Sequence, residues 1–291
     1  MSGELAQLDV LGIAAPKIRG RLAELQERLL PLVHSLQLIC PKSVDALRLA
    51  VAQSADRQQA LCVAGGDGTI NQVVNAMDLD RQKLIVLPVG RGNDFVRALG
   101  LPLALDRAVQ RLPQLTFRRV DVGLVGDIRF VNSAGIGLDA AVLEVMARQH
   151  GLLRRNYLLA FVFSITRLRP LGVKCGLFPR ASGGRCWWLL AMNGRWIGGG
   201  IPIAPVAGIQ DGKLDVIAVT AGSRWTLMRK LAQVLARRHL VQREVEFLQR
   251  GSFDVEGLSP PLLLAVDGEL YPWHESRLSF RTLPGALTVL C

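Results

Sequence analysis

Apolar and polar positions alternate in two different rhythms along the chain. In the first part, short apolar runs are separated by segments with apolar residues three and four apart. Residues 8–14, 35–39, 61–64 and 83–88 predict buried strands, and residues 21–30 (Leu22, Leu25, Leu29) and 44–55 predict helices, with Ser43 as the cap of the latter. After residue 69, Ile70, Val73, Val74 and Met77 again follow a helical period. Strands alternating with helices predict a parallel sheet covered on its faces, whose ligands lie beyond the carboxyl ends of the strands.

The rhythm changes near Asp121. Residues 130–133, 186–192, 214–219, 262–266 and 278–280 are short strand-like runs with frequent glycines between them. Helical stretches at 139–146, 152–167 and 226–238 interrupt them. The fold class is therefore an α/β N-terminal domain with a parallel sheet and a β-rich, mostly antiparallel C-terminal domain. The expected division is 1–122, with a final strand at 286–291 returning to that domain, and 123–285.

Composition narrows the class. Half of the 291 residues are hydrophobic, which excludes a disordered chain. The most membrane-like stretch, 157–166, is much shorter than the roughly 20 residues that span a bilayer. The opening residues, with Glu4 and Asp9 and no sustained apolar run, do not predict a secretory leader. The five cysteines (Cys40, Cys62, Cys175, Cys186, Cys291) are odd in number and lack metal-ligand spacing, so reduced, mostly buried thiols are expected. The net charge of +11 is concentrated: residues 148–185 carry eight Arg or Lys and no acid, and residues 216–243 carry six, again without an acid. Large apolar residues such as Leu152, Leu153, Phe163 and Trp225 are mixed among them, which suits an anionic membrane surface. The plain alternative is a set of solvated faces. Nucleic acid is not expected, because no helix-turn-helix, RNP or zinc-finger pattern accompanies the charge.

The chemistry concentrates in glycine turns. Gly65-Gly66-Asp67-Gly68-Thr69 lies between a predicted strand and a predicted helix. Glycines permit close backbone approach and the first N–H groups of a helix attract phosphate, so this turn is a candidate phosphate cradle. Its central acid needs a proton, a metal or a nucleotide hydroxyl to tolerate a phosphate. A second turn, Gly90-Arg91-Gly92-Asn93-Asp94, follows the next strand, with Asn93 and Asp94 as candidate caps. Further turns run from Asn132 to Asp139, from Gly198 to Pro205 and from Asp211 to Asp215, and Asp267-Gly268-Glu269 lies near the end. In isolation, Asp267-Gly268 reads as a hairpin turn and Asp211 and Asp215 as loop and strand-edge acids.

Taken in order, these six motifs resemble the diacylglycerol kinase catalytic superfamily, specifically its bacterial lipid kinases related to sphingosine kinases. The resemblance extends from about Leu8 to Cys291. It implies a nucleotide domain and a lipid-side domain with ATP between them, ATP as phosphoryl donor and Mg²⁺. It also implies that Gly65, Gly66, Gly68 and Thr69 line the triphosphate, with Asp67 touching nucleotide or metal and taking a catalytic part. Gly90, Arg91, Gly92, Asn93 and Asp94 would form the second wall. Asp267 would be the general base, Glu269 its metal or orienting partner, and Asp211 and Asp215 would serve a structural magnesium site. The implied activity is transfer of the γ-phosphoryl group to a hydroxyl of a diacylglycerol-like membrane lipid. The implied setting is cytoplasmic, at the inner face of the membrane, and a homodimer is one option for assembly.

Four positions depart from that pattern. Ala15 precedes Pro16 where the family has Asn, Arg91 replaces a threonine, Gln72 replaces a glutamate, and Gln210 replaces the first of two aspartates. Two rival readings follow: a soluble kinase of the NAD-kinase type, which shares the first turn, and a nucleotide- or lipid-binding regulator with weakened catalysis. Arg91 itself has two readings, since a guanidinium can bind phosphate or block the cradle.

Overall fold

The computed structural model describes residues 4–174, 185–220 and 245–291. The predicted helix at 226–238, Cys175 and the basic residues of 221–244 lie outside these. The chain divides into two compact units, Met1–Val122 with Pro284–Cys291, and Gly123–Leu283.

In chain order the first unit holds β1 (Asp9–Ala14), α1 (Leu22–Leu29), β2 (Ser35–Ile39), α2 (Val44–Asp56), β3 (Ala60–Gly65), α3 (Asp67–Ala76), β4 (Lys83–Pro88), α4 (Asp94–Ala98) and α5 (Leu105–Arg111). It also holds most of β5 (Phe117–Val125). Its sheet runs β2-β1-β3-β4, and all of these neighbours are parallel. Alternate residues go to opposite faces. Val10, Ala14, Cys62, Ala64, Ile85 and Leu87 share one core with Leu25 and Leu29 of α1 and Ala108 and Val109 of α5. Leu61, Val63, Leu84 and Val86, one step out of phase, are equally buried. Ile70, Val73, Val74 and Met77 of the α3 segment are all buried, as their spacing predicts. Ser43 caps α2, its hydroxyl accepting from Ala46 N at 3.1 Å.

The second unit contains β6 (Ile128–Phe130), β7 (Ser133–Gly137), α6 (Leu138–Arg148), α7 (Leu152–Arg155), α8 (Tyr157–Arg167), β8 (Leu171–Gly172) and β9 (Arg185–Met192). It continues with β10 (Leu214–Thr220), β11 (Val245–Arg250), β12 (Ser252–Val255), β13 (Leu262–Val266) and β14 (Glu269–Trp273). The start of β15 (Leu278–Leu290) completes it. One sheet runs β11-β10-β9-β7-β13-β14, antiparallel throughout, with β8 beside β9. Its two faces separate cleanly. Leu189, Ala191, Val216, Ala218 and Leu264 pack with Phe253 of β12 and Phe280 of β15, whose rings stack at 4.6 Å. Trp188, Leu190, Met192, Ile217 and Val219 pack instead with Leu138 and Val142 of α6 and Phe161 and Ile165 of α8.

Three expectations change here. The predicted helix 152–167 is two helices, because Asn156 leaves helical geometry and its side chain accepts from Leu159 N at 3.1 Å as the cap of α8. The predicted strand 130–133 is a break between β6 and β7. The last two predicted strands are one: β15 continues through Pro284 and Gly285 and pairs with β4 in parallel at Thr288 and Val289. Cys62 and Cys186 are buried, while Cys40 and Cys291 are partly exposed, and all four are free thiols. Burial pushes the Cys62 thiol up to about 12. Among the described residues, no helix is long and apolar enough to cross a membrane.

Candidate functional site

In the first unit the two glycine turns lie directly against each other. Gly65 ends β3, and its carbonyl accepts from Val89 N at 3.0 Å and Gly90 N at 3.3 Å. A Cβ on Gly90 would stand 2.5 Å from the Gly66 Cα, and one on Gly66 would stand 2.9 Å from the Gly90 Cα. Backbone meets backbone here, and neither position has room for a side chain. Gly66 is the N-cap of α3 and offers no side-chain acceptor, so the amides of the first turn of α3 have no intrahelical acceptor. That is the geometry of an anion cradle.

Asp67 opens α3, and its carboxylate accepts from its own amide while reaching across to the start of α4. Oδ1 accepts from Phe95 N at 3.1 Å, and the amides of Asp94 and Asn93 also donate to the carboxylate. The acid of the first turn thus caps α4 from 28 residues away. Burial raises its pKa, and the amide donors oppose that rise. The expected side-chain cap from Asn93 or Asp94 is not made. Asn93 instead takes a left-handed conformation (φ 53°), and its Nδ2 donates to Gly90 O at 3.0 Å. Its Oδ1 is buried without a hydrogen-bond partner. Asp94 is buried, with Arg97 Nε at 3.9 Å. Arg91 is exposed, so it does not fill the cradle. Gln72 accepts from Arg48 at 3.2 Å, and Ala15 follows β1 with its N–H on Ala64 O at 2.9 Å.

In the second unit Asp267 and Gly268 are the two-residue turn between β13 and β14, both at positive φ (46° and 86°). Asp-Gly favours that conformation. The aspartate also reaches beyond its hairpin: Oδ2 accepts from Val131 N at 2.8 Å, and Oδ1 accepts from Asn132 N at 2.9 Å and Ser133 N at 2.8 Å. The peptide between β6 and β7 is therefore held by one carboxylate. Asn132 O in turn accepts from Asn193 N and Gly194 N, both at 2.9 Å, and Asn193 Nδ2 donates to Val131 O at 2.8 Å. Sequence reading missed this use of Asn132 and Asn193 as a cross-link; only their place beside glycine turns hints at it. Glu269 follows in β14 and is exposed. Gly198, Gly199 and Gly200 all have positive φ, and a Cβ on Gly198 would strike the Tyr157 ring at 2.6 Å.

Two further acids of this unit are buried, and desolvation outweighs the donors that reach them. Asp139, at the start of α6, accepts from Ala140 N at 2.9 Å, and burial pushes its pKa up to about 7. Asp215 Oδ1 accepts from Gln249 Nε2 at 3.2 Å, whereas Oδ2 is buried without a hydrogen-bond partner. Burial raises this pKa to about 6, and the charge of Asp211 adds to the rise. Asp211 itself accepts from Lys213 N at 3.0 Å. An unpartnered buried carboxylate oxygen beside a second aspartate fits a hydrated Mg²⁺, which commonly takes one or two carboxylates and keeps several waters. Among the described residues no three His, Cys, Asp or Glu side chains gather into a metal-binding group, so backbone carbonyls and water would complete the shell.

Comparison with known proteins identifies the family. Residues 16–125 match the diacylglycerol kinase catalytic domain, and residues 132–291 match the YegS C-terminal NAD kinase beta sandwich-like domain. A Chromohalobacter salexigens protein named "Probable lipid kinase YegS-like" is 32% identical, covering 84% of this chain and 79% of its own. A Bacillus subtilis diacylglycerol kinase is 29% identical over 77% of this chain and 76% of its own. The crystal structure of a Bacillus anthracis diacylglycerol kinase superposes with a TM-score of 0.76 at 21% identity, covering 98% of this chain and 97% of that one. The chain belongs to the diacylglycerol kinase family, in its YegS-type lipid kinase branch, and is a kinase of a lipid alcohol for which the family implies ATP as donor.

Proposed function

We propose that the protein transfers the γ-phosphoryl group of ATP, with Mg²⁺, to a hydroxyl of a diacylglycerol-like lipid at the inner face of a membrane. The observation that carries this reading is the abutment of Gly66 and Gly90, which leaves a backbone-lined cradle beside the first turn of α3. Phosphoryl transfer depends mainly on positioning and charge neutralisation, which backbone amides and a bound cation supply. When bound, Mg²⁺ would neutralise charge on the phosphates.

In this reading Gly65 to Thr69 and Gly90 to Asp94 hold the nucleotide. Asp67 acts through the structure, because its carboxylate fixes the amide end of α4 and so sets the second wall. Asp267 and Glu269 serve the acceptor hydroxyl, Asp267 being held by three amides and Glu269 lying open to solvent. Asp211 and Asp215 hold a structural cation. The α7–α8 segment supplies the membrane contact. Leu152, Leu158 and Leu159 are 73%, 37% and 43% exposed, and the cationic side chains of Arg148, Arg154, Arg167 and Arg169 surround them in sequence.

The test is incubation of the purified protein with labelled ATP, Mg²⁺ and vesicles that carry a panel of lipid alcohols. Label is expected in a lipid with a free hydroxyl, more strongly on anionic than on neutral vesicles, and much less with Asp267→Asn. Absence of transfer to every lipid, or label in NAD without vesicles, overturns the reading.

A further inference from the structure

We propose that Tyr157 is a positioning residue for Asp267. Its ring ties the membrane-facing start of α8 to the backbone that holds the aspartate, so seating α8 on a membrane raises turnover. The inference rests on the acceptor-side reading of Asp267 and on the membrane reading of α7–α8.

Each link is a contact within the second unit. Leu158 and Leu159 stand exposed in the first turn of α8, and Asn156 fixes that turn by accepting from Leu159 N at 3.1 Å. Tyr157, beside them, is partly buried and packs against the core that holds Trp188, Ile197 and Ile201. Its ring lies against bare backbone at Gly198, where an added Cβ would stand 2.6 Å away. The loop around that glycine is closed. Ile197 and Ile201 exchange hydrogen bonds of 3.0 and 2.9 Å, and Ala204 N donates to Arg195 O at 3.2 Å. Two residues before Gly198, Trp196 O accepts from Asn132 Nδ2 at 2.5 Å. Asn132 N in turn donates to Asp267 Oδ1 at 2.9 Å.

A packed ring and a closed loop pass a displacement on, because an interior at crystal density has few voids to absorb it. Asn132 is 4% exposed and its Oδ1 has no hydrogen-bond partner, so its side chain is held at the Trp196 end alone. Movement of the loop therefore moves the amides on which the Asp267 carboxylate rests. A misplacement of about 1 Å at a reacting group can cost ~10²-fold in rate, so small freedom in α8 is enough to matter. Embedding Leu158 and Leu159 in lipid removes that freedom at its source.

The experiment measures turnover of dihexanoylglycerol, a water-soluble diacylglycerol, with and without vesicles of phosphatidylserine and phosphatidylcholine. It uses the full chain, Tyr157→Phe, which keeps the ring, and Tyr157→Leu, which loses it but stays apolar. Vesicles are expected to raise kcat of the unsubstituted chain and of Tyr157→Phe by about tenfold, and that of Tyr157→Leu by under about twofold. KM for ATP and sedimentation with vesicles should be the same in all three. Hydrogen exchange at Val131, Asn132 and Ser133 should slow by about threefold when vesicles are added to the unsubstituted chain, and should not change in Tyr157→Leu. Equal activation of Tyr157→Leu, or a loss matched by lost sedimentation, overturns the proposal while lipid phosphorylation stands. Tyr157→Phe as impaired as Tyr157→Leu does the same. Absence of phosphorylation under every condition overturns the proposal and the reading beneath it together.

Discussion

Asp67 in the first unit and Asp267 in the second are both aspartates followed by glycine, and each gives its carboxylate to the backbone of a distant segment. Asp67 takes the amides of Asn93, Asp94 and Phe95, and Asp267 those of Val131, Asn132 and Ser133. They differ in how far the acid itself is buried and not in the number of donors. Asp267 is 4% exposed, spends both oxygens on three consecutive amides, and sits at φ 46° while doing so. Asp67 is only partly buried and caps the end of a five-residue helix. The difference teaches that the same dipeptide can anchor a fold or trim a site. What decides is whether water can reach the stranded amides once the acid is lost, which the exposure of Asp67 permits and the burial of Asp267 does not.

The largest effect is therefore expected at Asp267. Asp267→Ala strands three N–H groups, at about 1–3 kcal/mol for each one left buried without a partner, so a loss of roughly 3–5 kcal/mol is expected. The readout is the urea midpoint of the second unit, with unchanged slope. Asp267→Asn keeps a carbonyl oxygen for Asn132 and Ser133 but sets an NH₂ group against Val131 N, so it should lose less than the alanine variant. A loss at Asp267→Ala no greater than that of Asp67→Ala would break the comparison.

Asp139 sharpens it from the other side, as a buried acid of the second unit without three distant donors. Its folded pKa of about 7 lies above the unfolded value of about 3.9. A raised acid takes up its proton more readily in the folded state. Its contribution is then fully present below the unfolded pKa and is lost as pH rises towards 7. Up to about 4 kcal/mol of such slope is expected between pH ~4 and pH ~7, since each pKa unit is about 1.4 kcal/mol. Asp139→Asn should flatten it. A wild-type stability that rises with pH across this window would show that donors reach Asp139 as they reach Asp267.

The contrast also marks what the chain reveals before folding. Periodicity exposed α3, because Ile70, Val73 and Val74 must all enter one core. A lone polar residue ahead of a helical pattern exposed the Ser43 cap. The α7–α8 break was hidden, since Leu152-Leu153 and the apolar run from Tyr157 keep a helical rhythm on either side of Arg154-Arg155-Asn156, and the cap acts over only three residues. The runs at 278–280 and 286–291 read as two strands, yet Gly285 N donates to Asp121 Oδ1 at 2.7 Å and β15 continues through both. The glycine turns were legible as turns because glycine has few alternatives at positive φ or at close backbone contact. Their partners were not legible. Asp67 and Phe95 are 28 residues apart, and Asp267 and Val131 are 136 apart, with no local pattern linking either pair.

The smallest effect is expected at Asp67, and it separates the two roles most finely. Asp67→Ala removes the capping acceptor of α4, worth about 1 kcal/mol at an ordinary N-cap. Asp67→Asn keeps an acceptor and relieves the penalty of burying charge, so its stability should stay within roughly 0.5 kcal/mol of wild type. Amide hydrogen exchange locates the change. In Asp67→Ala, exchange at Phe95 should quicken by about fivefold, the factor that ~1 kcal/mol represents, while Val131, Asn132 and Ser133 keep their protection. If Asp67→Asn is as damaging as Asp67→Ala, the negative charge itself holds the end of α4. If protection at Phe95 is unchanged in both, the cap contributes nothing and the second wall of the cradle stands without it.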